Sequence, residues 1–123
     1  MKIIDTLKNW VDVELSLAKI NKQKLSNHEK YIVKWYFFGS CDVCCQAMEL
    51  EDREFLTLFR ETLRYTNLPN EEIEEVVGIW MLDKIANDEL AIINKGAHSF
   101  GFFKKQPQGV GGLGYCISTF RNA

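Results

Sequence analysis

Apolar side chains recur every three or four positions along most of the chain, which is the spacing of one face of an α-helix. The first stretch with this spacing predicts a helix over residues 5–21. Its apolar stripe consists of Ile3, Leu7, Trp10, Leu17 and Ile20. A polar break at residues 21–24 separates this helix from the next element.

Ser26 and Glu29 have the spacing of a capping box, in which serine and glutamate side chains each accept a backbone N–H at the start of a helix. A second helix is therefore predicted from this point to about Met48. Its middle, residues 31–38, is apolar almost all round, which is typical of a central, buried helix. The same eight residues also have high strand propensity, so the sequence alone leaves helix and strand open there.

Residues 51–65 show a clearer amphipathic pattern, with acids in the first turn and arginines in the last, as the helix dipole favours. A fourth helix is predicted after Asn70, a natural N-cap. The inward positions of these two helices are Phe55, Leu58, Phe59, Thr62, Leu63, Ile73, Val76, Val77, Trp80 and Met81.

A fresh helix start is possible near Asn87, and the helical pattern beyond it meets Lys95-Gly96. Glycine commonly ends a helix, so Gly96 predicts a stop. The alternative is that Gly96 lies inside the helix, in which case Phe100 and Phe103 continue its apolar stripe.

The end of the chain differs from the rest, because four of its eight glycines fall within residues 109–114. This stretch predicts a loop, and the following residues 115–120 have strand character. They could pair with residues 99–103 in a small hairpin. We therefore expect a mainly α fold, a compact bundle of four to five helices over residues 1–104. The Gly-rich segment 105–123 forms an extended or hairpin tail on the same domain.

Composition and charge exclude several classes of protein. Hydrophobic residues make up 46% and charged residues 26% of the 123 positions, as in ordinary globular domains. The net charge of −2 does not suit a nucleic-acid binder, which usually has a basic face. We find neither a signal peptide nor an apolar run of membrane-spanning length, so we expect no membrane partner and a cytoplasmic location.

The cluster with the clearest chemical character contains Cys41, Cys44 and Cys45. If residues 31–38 were a strand, Cys41 would lie at a helix N-terminus, where the dipole can produce a reactive thiolate. Over about fifteen residues this arrangement resembles the strand–Cys-x-x-Cys–helix opening of thioredoxin-like proteins, which implies thiol redox chemistry. The later strands and cis-proline of that family have no counterpart here.

Two other interpretations of the cysteines compete with the redox one. On a continuous helix the three thiols share one face, where small apolar side chains favour packing. Alternatively, a zinc site could form from residues of the types that bind zinc, namely Cys41, Cys44, Cys45, His98 and Cys116. The second close pair of ligands that zinc sites usually have is missing. We therefore expect no metal, cofactor or catalytic group.

Phe100, Phe102 and Phe103 place three aromatic rings within four residues, next to two lysines. One small core cannot easily accept all three rings, and an exposed apolar patch marks a contact surface. We therefore expect a non-enzymatic interaction or regulatory module whose partner is itself or another protein. The alternatives are a thiol redox or zinc-binding protein, and a bundle that binds a small ligand beside Trp10, Trp35 and Trp80.

Overall fold

The computed structural model describes residues 3–105 and 111–120, and these residues form six α-helices and one 3₁₀ turn, with no strand among them. The helices are α1 (Ile3–Leu17), α2 (Asn27–Met48), α3 (Asp52–Tyr65), α4 (Asn70–Met81), α5 (Asn87–Lys105) and α6 (Gly112–Thr119), and the 3₁₀ turn is Lys22–Lys24. The mainly α fold is thereby confirmed. No described helix combines the length and the apolar character needed to cross a bilayer.

Helix α2 is the centre of the fold and packs against each of the other five helices. The predicted capping box starts it: the Glu29 N–H donates to Ser26 Oγ at 3.0 Å, and the Ser26 N–H donates to Glu29 Oε1 at 2.8 Å. Residues 32–41 are all buried. Residues 31–38 are thus helical, and residues 32–38 are enclosed, because neighbours cover every side of the helix there.

Two aromatic clusters fill the core on different sides of α2. Trp10 of α1 has the rings of Tyr36, Phe37, Phe100 and Phe103 within 5.2–6.2 Å of its own. The second cluster consists of Phe38, Phe55, Phe59 and Trp80, joining α2 to α3 and α4. Rings of α2 belong to both clusters, which explains why its sequence is aromatic on more than one face.

Helices α2 and α5 cross with almost no space between their backbones. A methyl group on Gly39 would overlap the backbone of Ile93, and one on Gly96 would overlap the carbonyl of Tyr36. Gly96 therefore lies inside α5, and the predicted stop at this position is wrong. The alternative, in which Phe100 and Phe103 continue the stripe, is confirmed, since both rings are buried.

The predicted C-terminal hairpin is wrong for the described residues. Residues 99–103 belong to α5 and residues 115–119 to α6, which packs on α1, α2 and α5. The described residues therefore form six α-helices rather than four or five. Residues 106–110 and 121–123 of the predicted tail lie outside the described residues. Met81 is also exposed rather than inward, because α4 ends there.

Candidate functional site

The four cysteines are free thiols and all are buried. Cys41, Cys44 and Cys45 lie in the second half of a continuous helix rather than at a helix N-terminus. Burial raises the pKa of Cys44 and of Cys45 to about 11 and that of Cys116 to about 12. A reactive thiol needs a lowered pKa. Their environment therefore favours packing over nucleophilic chemistry.

His98 and Cys116, the remaining candidate ligands, do not complete a site with the α2 thiols. His98 is exposed on α5 with its ring edge-on to Phe102 at 5.0 Å, and Cys116 is buried on α6. Across residues 3–105 and 111–120, no three His, Cys, Asp or Glu side chains are grouped to hold a metal ion.

The aromatic triplet of α5 is divided between core and surface. Phe100 and Phe103 are buried in the cluster around Trp10, whereas Phe102 is half-exposed. The interface prediction for Phe100 and Phe103 must be corrected, because their positions on the helix point them at α1 and α2. Phe102 alone remains at the surface, beside a shallow concavity with Ala97 and Gly101.

The three tryptophans do not line a common ligand pocket. Trp10 and Trp35 are fully buried, and Trp35 packs on Phe38. Trp80 is partly exposed and packs on Phe55, with the two ring centroids 5.1 Å apart. Packing against other aromatic rings thus explains the position of each indole ring without a bound ligand.

A buried carboxylate joins α1 to α6, and the sequence analysis did not identify it. Glu14 Oε1 accepts hydrogen bonds from the Tyr36 hydroxyl at 2.9 Å and the Leu113 N–H at 3.0 Å, and Oε2 accepts from the Gly111 N–H at 3.2 Å. These amides lie at the start of α6, where the helix dipole favours a negative charge. In the sequence, Glu14 can be noticed as an acidic residue among the apolar positions of α1. Its hydrogen bonds join α1 to α2 and α6, which is a structural role.

A concave, largely apolar groove of about 570 Å³ lies between the start of α1, the end of α2 and α3. Its apolar lining consists of Ile3, Ile4, Met48, Leu50 and Leu58. Met48 is 51% exposed although it is a large apolar side chain. We call this surface the acidic groove, because of the charges that surround it.

Among the described residues, the rim of the acidic groove carries three carboxylates and one guanidinium. Glu51, Glu54 and Glu61 line it together with Arg53, and all four side chains are exposed. Glu54 also starts α3, since its Oε1 accepts the Glu51 N–H at 3.2 Å. The acids at the start of α3 therefore stabilise the beginning of that helix, as the sequence indicates. They also make the rim of the groove negatively charged.

The chain ends α2 in a way that fixes the position of Met48. Glu49 adopts a left-handed backbone, with φ of 55°, and the Leu50 N–H donates to the Cys45 carbonyl at 2.9 Å. This bond is the long one of a Schellman motif, which closes a helix rigidly. Met48 and Leu50 are thus held on either side of a tight turn at one wall of the groove.

Sequence reasoning missed the groove because its parts come from three separate helices. Ile3 and Ile4 belong to the apolar stripe of α1 and look like core positions in the sequence. Met48 fits the cysteine face of α2 equally well. Comparisons with protein-family models, with curated proteins and with solved structures gave no match to this chain.

Proposed function

We propose that this chain is a non-enzymatic protein–protein interaction module that self-associates, with the acidic groove receiving a second copy. The observation that carries this proposal is the groove itself, where an exposed Met48 lies among isoleucine and leucine side chains that are partly or almost fully buried. Concave apolar surfaces with a polar rim are typical of protein contacts.

Charge complementarity favours a second copy as the occupant. The rim is acidic, and residues 1–40 of the chain carry seven lysines against four acids. Two of these lysines, Lys19 and Lys24, are exposed in the structure. A second molecule can therefore present cations to the acidic rim, which steers association and fixes orientation. We expect a weak association that depends on protein concentration, since one groove offers a limited contact area.

The cysteines and the aromatic triplet give less support to other surfaces. The buried thiols with raised pKa values do not favour redox chemistry. Phe102 is a single exposed ring, whereas the groove combines five apolar side chains from three helices and the turn after α2. The interaction surface is therefore better placed at the groove than at α5.

The test is sedimentation velocity of the full chain over a range of concentrations. The average mass should rise with concentration for the wild type and stay at the monomer value for Met48→Asp. Phe102→Asp is the matched control, since Phe102 is 50% exposed and Met48 51%. A wild type that stays monomeric, or an association lost in Phe102→Asp but kept in Met48→Asp, would overturn the proposal.

A further inference from the structure

The end of α1 carries an exposed apolar side chain close in sequence to a lysine. Leu17, the last residue of the helix, is 51% exposed, and Lys19, two residues later, is exposed as well. We call Leu17 and Lys19 the basic tip. An apolar side chain with a cation beside it is complementary to an apolar groove with carboxylates at its rim.

The basic tip is held in a fixed shape. Lys19 has a left-handed backbone, with φ of 57°, and the Ile20 N–H donates to the Leu15 carbonyl at 2.9 Å. A hydrogen bond of the same type closes α2 and holds Met48 and Leu50 at the groove. A preformed tip and a preformed groove lose little conformational freedom when they meet, which favours association between them.

The tip cannot reach the groove of its own molecule. Ile3 lines the groove and Leu17 ends the same helix, so the two are separated by fourteen residues of α1. At 1.5 Å per residue this is about 21 Å along a rigid helix. Any contact between tip and groove is therefore between two molecules.

We propose that the basic tip of one copy docks in the acidic groove of the next, head to tail. The proposal rests on the self-association proposed above and names the face of the second copy that enters the groove. Because the two faces differ, the interface is heterologous, and each bound molecule leaves one tip and one groove open. Such contacts build rings or open chains rather than a two-fold dimer.

A complementation experiment separates this geometry from others. Leu17→Asp removes the tip and keeps the groove, while Met48→Asp removes the groove and keeps the tip. Each variant alone should sediment as a monomer, with its apparent Kd weakened about tenfold or more. An equimolar mixture should form a species of two chains that does not grow further, because one intact tip meets one intact groove.

Two measurements guard against variants that are simply misfolded. Far-UV circular dichroism should match the wild type, and thermal unfolding should remain cooperative with a small loss, since both positions are half-exposed and an acid at a helix C-terminus is mildly unfavourable. Lys19→Glu provides a milder variant that reverses one charge of the tip, and it should also weaken association. Raising NaCl from about 0.05 M to 0.5 M should weaken the wild-type association by screening the charges.

The outcomes are distinguishable. If Leu17→Asp associates like the wild type while Met48→Asp does not, another face of the second copy fills the groove; this inference is then wrong and the proposed function stands. If the mixture of variants stays monomeric although each loses association, the interface is not head to tail. If the wild type is monomeric throughout, both proposals fail.

Discussion

Gly39 of α2 and Gly96 of α5 form a reciprocal contact, in which each glycine lies against the backbone of the opposite helix. The carbonyl of Tyr36 occupies the space that a side chain on Gly96 would need, and the carbonyl of Ile93 does the same at Gly39. Neither obstacle is the flexible end of a side chain, so neither can move aside cheaply. The crossing of the two central helices therefore depends on the absence of two methyl groups.

The first prediction concerns this crossing. Gly96→Ala should lower the free energy of unfolding by about 3 kcal/mol or more, because the new methyl group forces the helices apart. Gly78→Ala is the matched control: it is also a helix-interior glycine, and open space surrounds it. That control should raise stability by about 0.5–1 kcal/mol. Urea unfolding measures both, and equal effects in the two variants would contradict the close contact.

The second prediction concerns the buried carboxylate. Tyr36→Phe removes the hydroxyl that donates to Glu14 Oε1 and should cost about 1–3 kcal/mol, because the acceptor is buried and charged. Tyr65→Phe is the control, since the Tyr65 hydroxyl donates to Asp12 at 2.6 Å in an exposed position. We expect that change to cost less than about 1 kcal/mol.

Amide hydrogen exchange checks the same relationship locally. In Tyr36→Phe, the Leu113 N–H should exchange faster, because it shares Glu14 Oε1 with the lost hydroxyl. Amides of α3 lie in a different part of the core and should change less. Uniform acceleration across both helices would indicate global destabilisation instead.

The third prediction concerns pH. Burial raises the pKa of Cys116 from 9.0 to about 12, so the folded protein keeps this thiol protonated where the unfolded chain loses the proton. The unfolded state then binds fewer protons, and stability falls as the pH rises above about 9. The loss is about 1.4 kcal/mol per pH unit for each such thiol.

Cys116→Ala should flatten this decline, because one titrating thiol is removed from the unfolded state. Denaturant unfolding at several values between about pH 8.5 and 10.5 gives the slope for both proteins. Cys44, whose pKa is raised to about 11, should likewise react slowly with iodoacetamide in the folded protein at neutral pH. Rapid alkylation, or a slope identical in the variant, would show that the buried thiols are more accessible than the structure indicates.

The fourth prediction concerns the left-handed residue at the end of α2. Glu49→Gly should stabilise the protein by up to about 1 kcal/mol, because glycine adopts a φ of 55° without steric cost. Glu49→Ala removes the same charge but keeps the strained backbone. Thermal unfolding should show a gain for glycine that alanine lacks; equal gains would instead identify the acid at the negative end of the helix dipole as the cause.

The pattern of apolar positions predicts most of the fold, because each helix covers one side of a common core. The capping box at Ser26 and the apolar residues 31–38 place α2 correctly. The prediction at Gly96 is wrong because glycine can either end a helix or allow two helices to pack closely, and the sequence alone does not distinguish the two roles. Helix α6 was missed because it is rich in glycine, and its first amides are held by Glu14, a residue far away in the sequence.

The candidate site is less accessible to sequence reasoning than the fold. Periodicity identifies Phe100 and Phe103 as apolar, and it cannot distinguish a core face from a contact face until the neighbouring helices are placed. Met48 shows the reverse case, since it continues the cysteine face of α2 and yet emerges at the surface where the helix ends. Exposure at a helix end depends on where the chain turns, and that is a property of tertiary structure.

The bond between Glu14 and Leu113 spans 99 positions of the chain. During synthesis α1 emerges several seconds or more before α6, because ribosomes add about 5–20 residues each second. Throughout that interval the Glu14 carboxylate lacks these two backbone donors, so burying it against the core is less favourable. The native core is therefore completed only once α6 is available, and chains that lack α6 are the forms most exposed to chaperones and proteases.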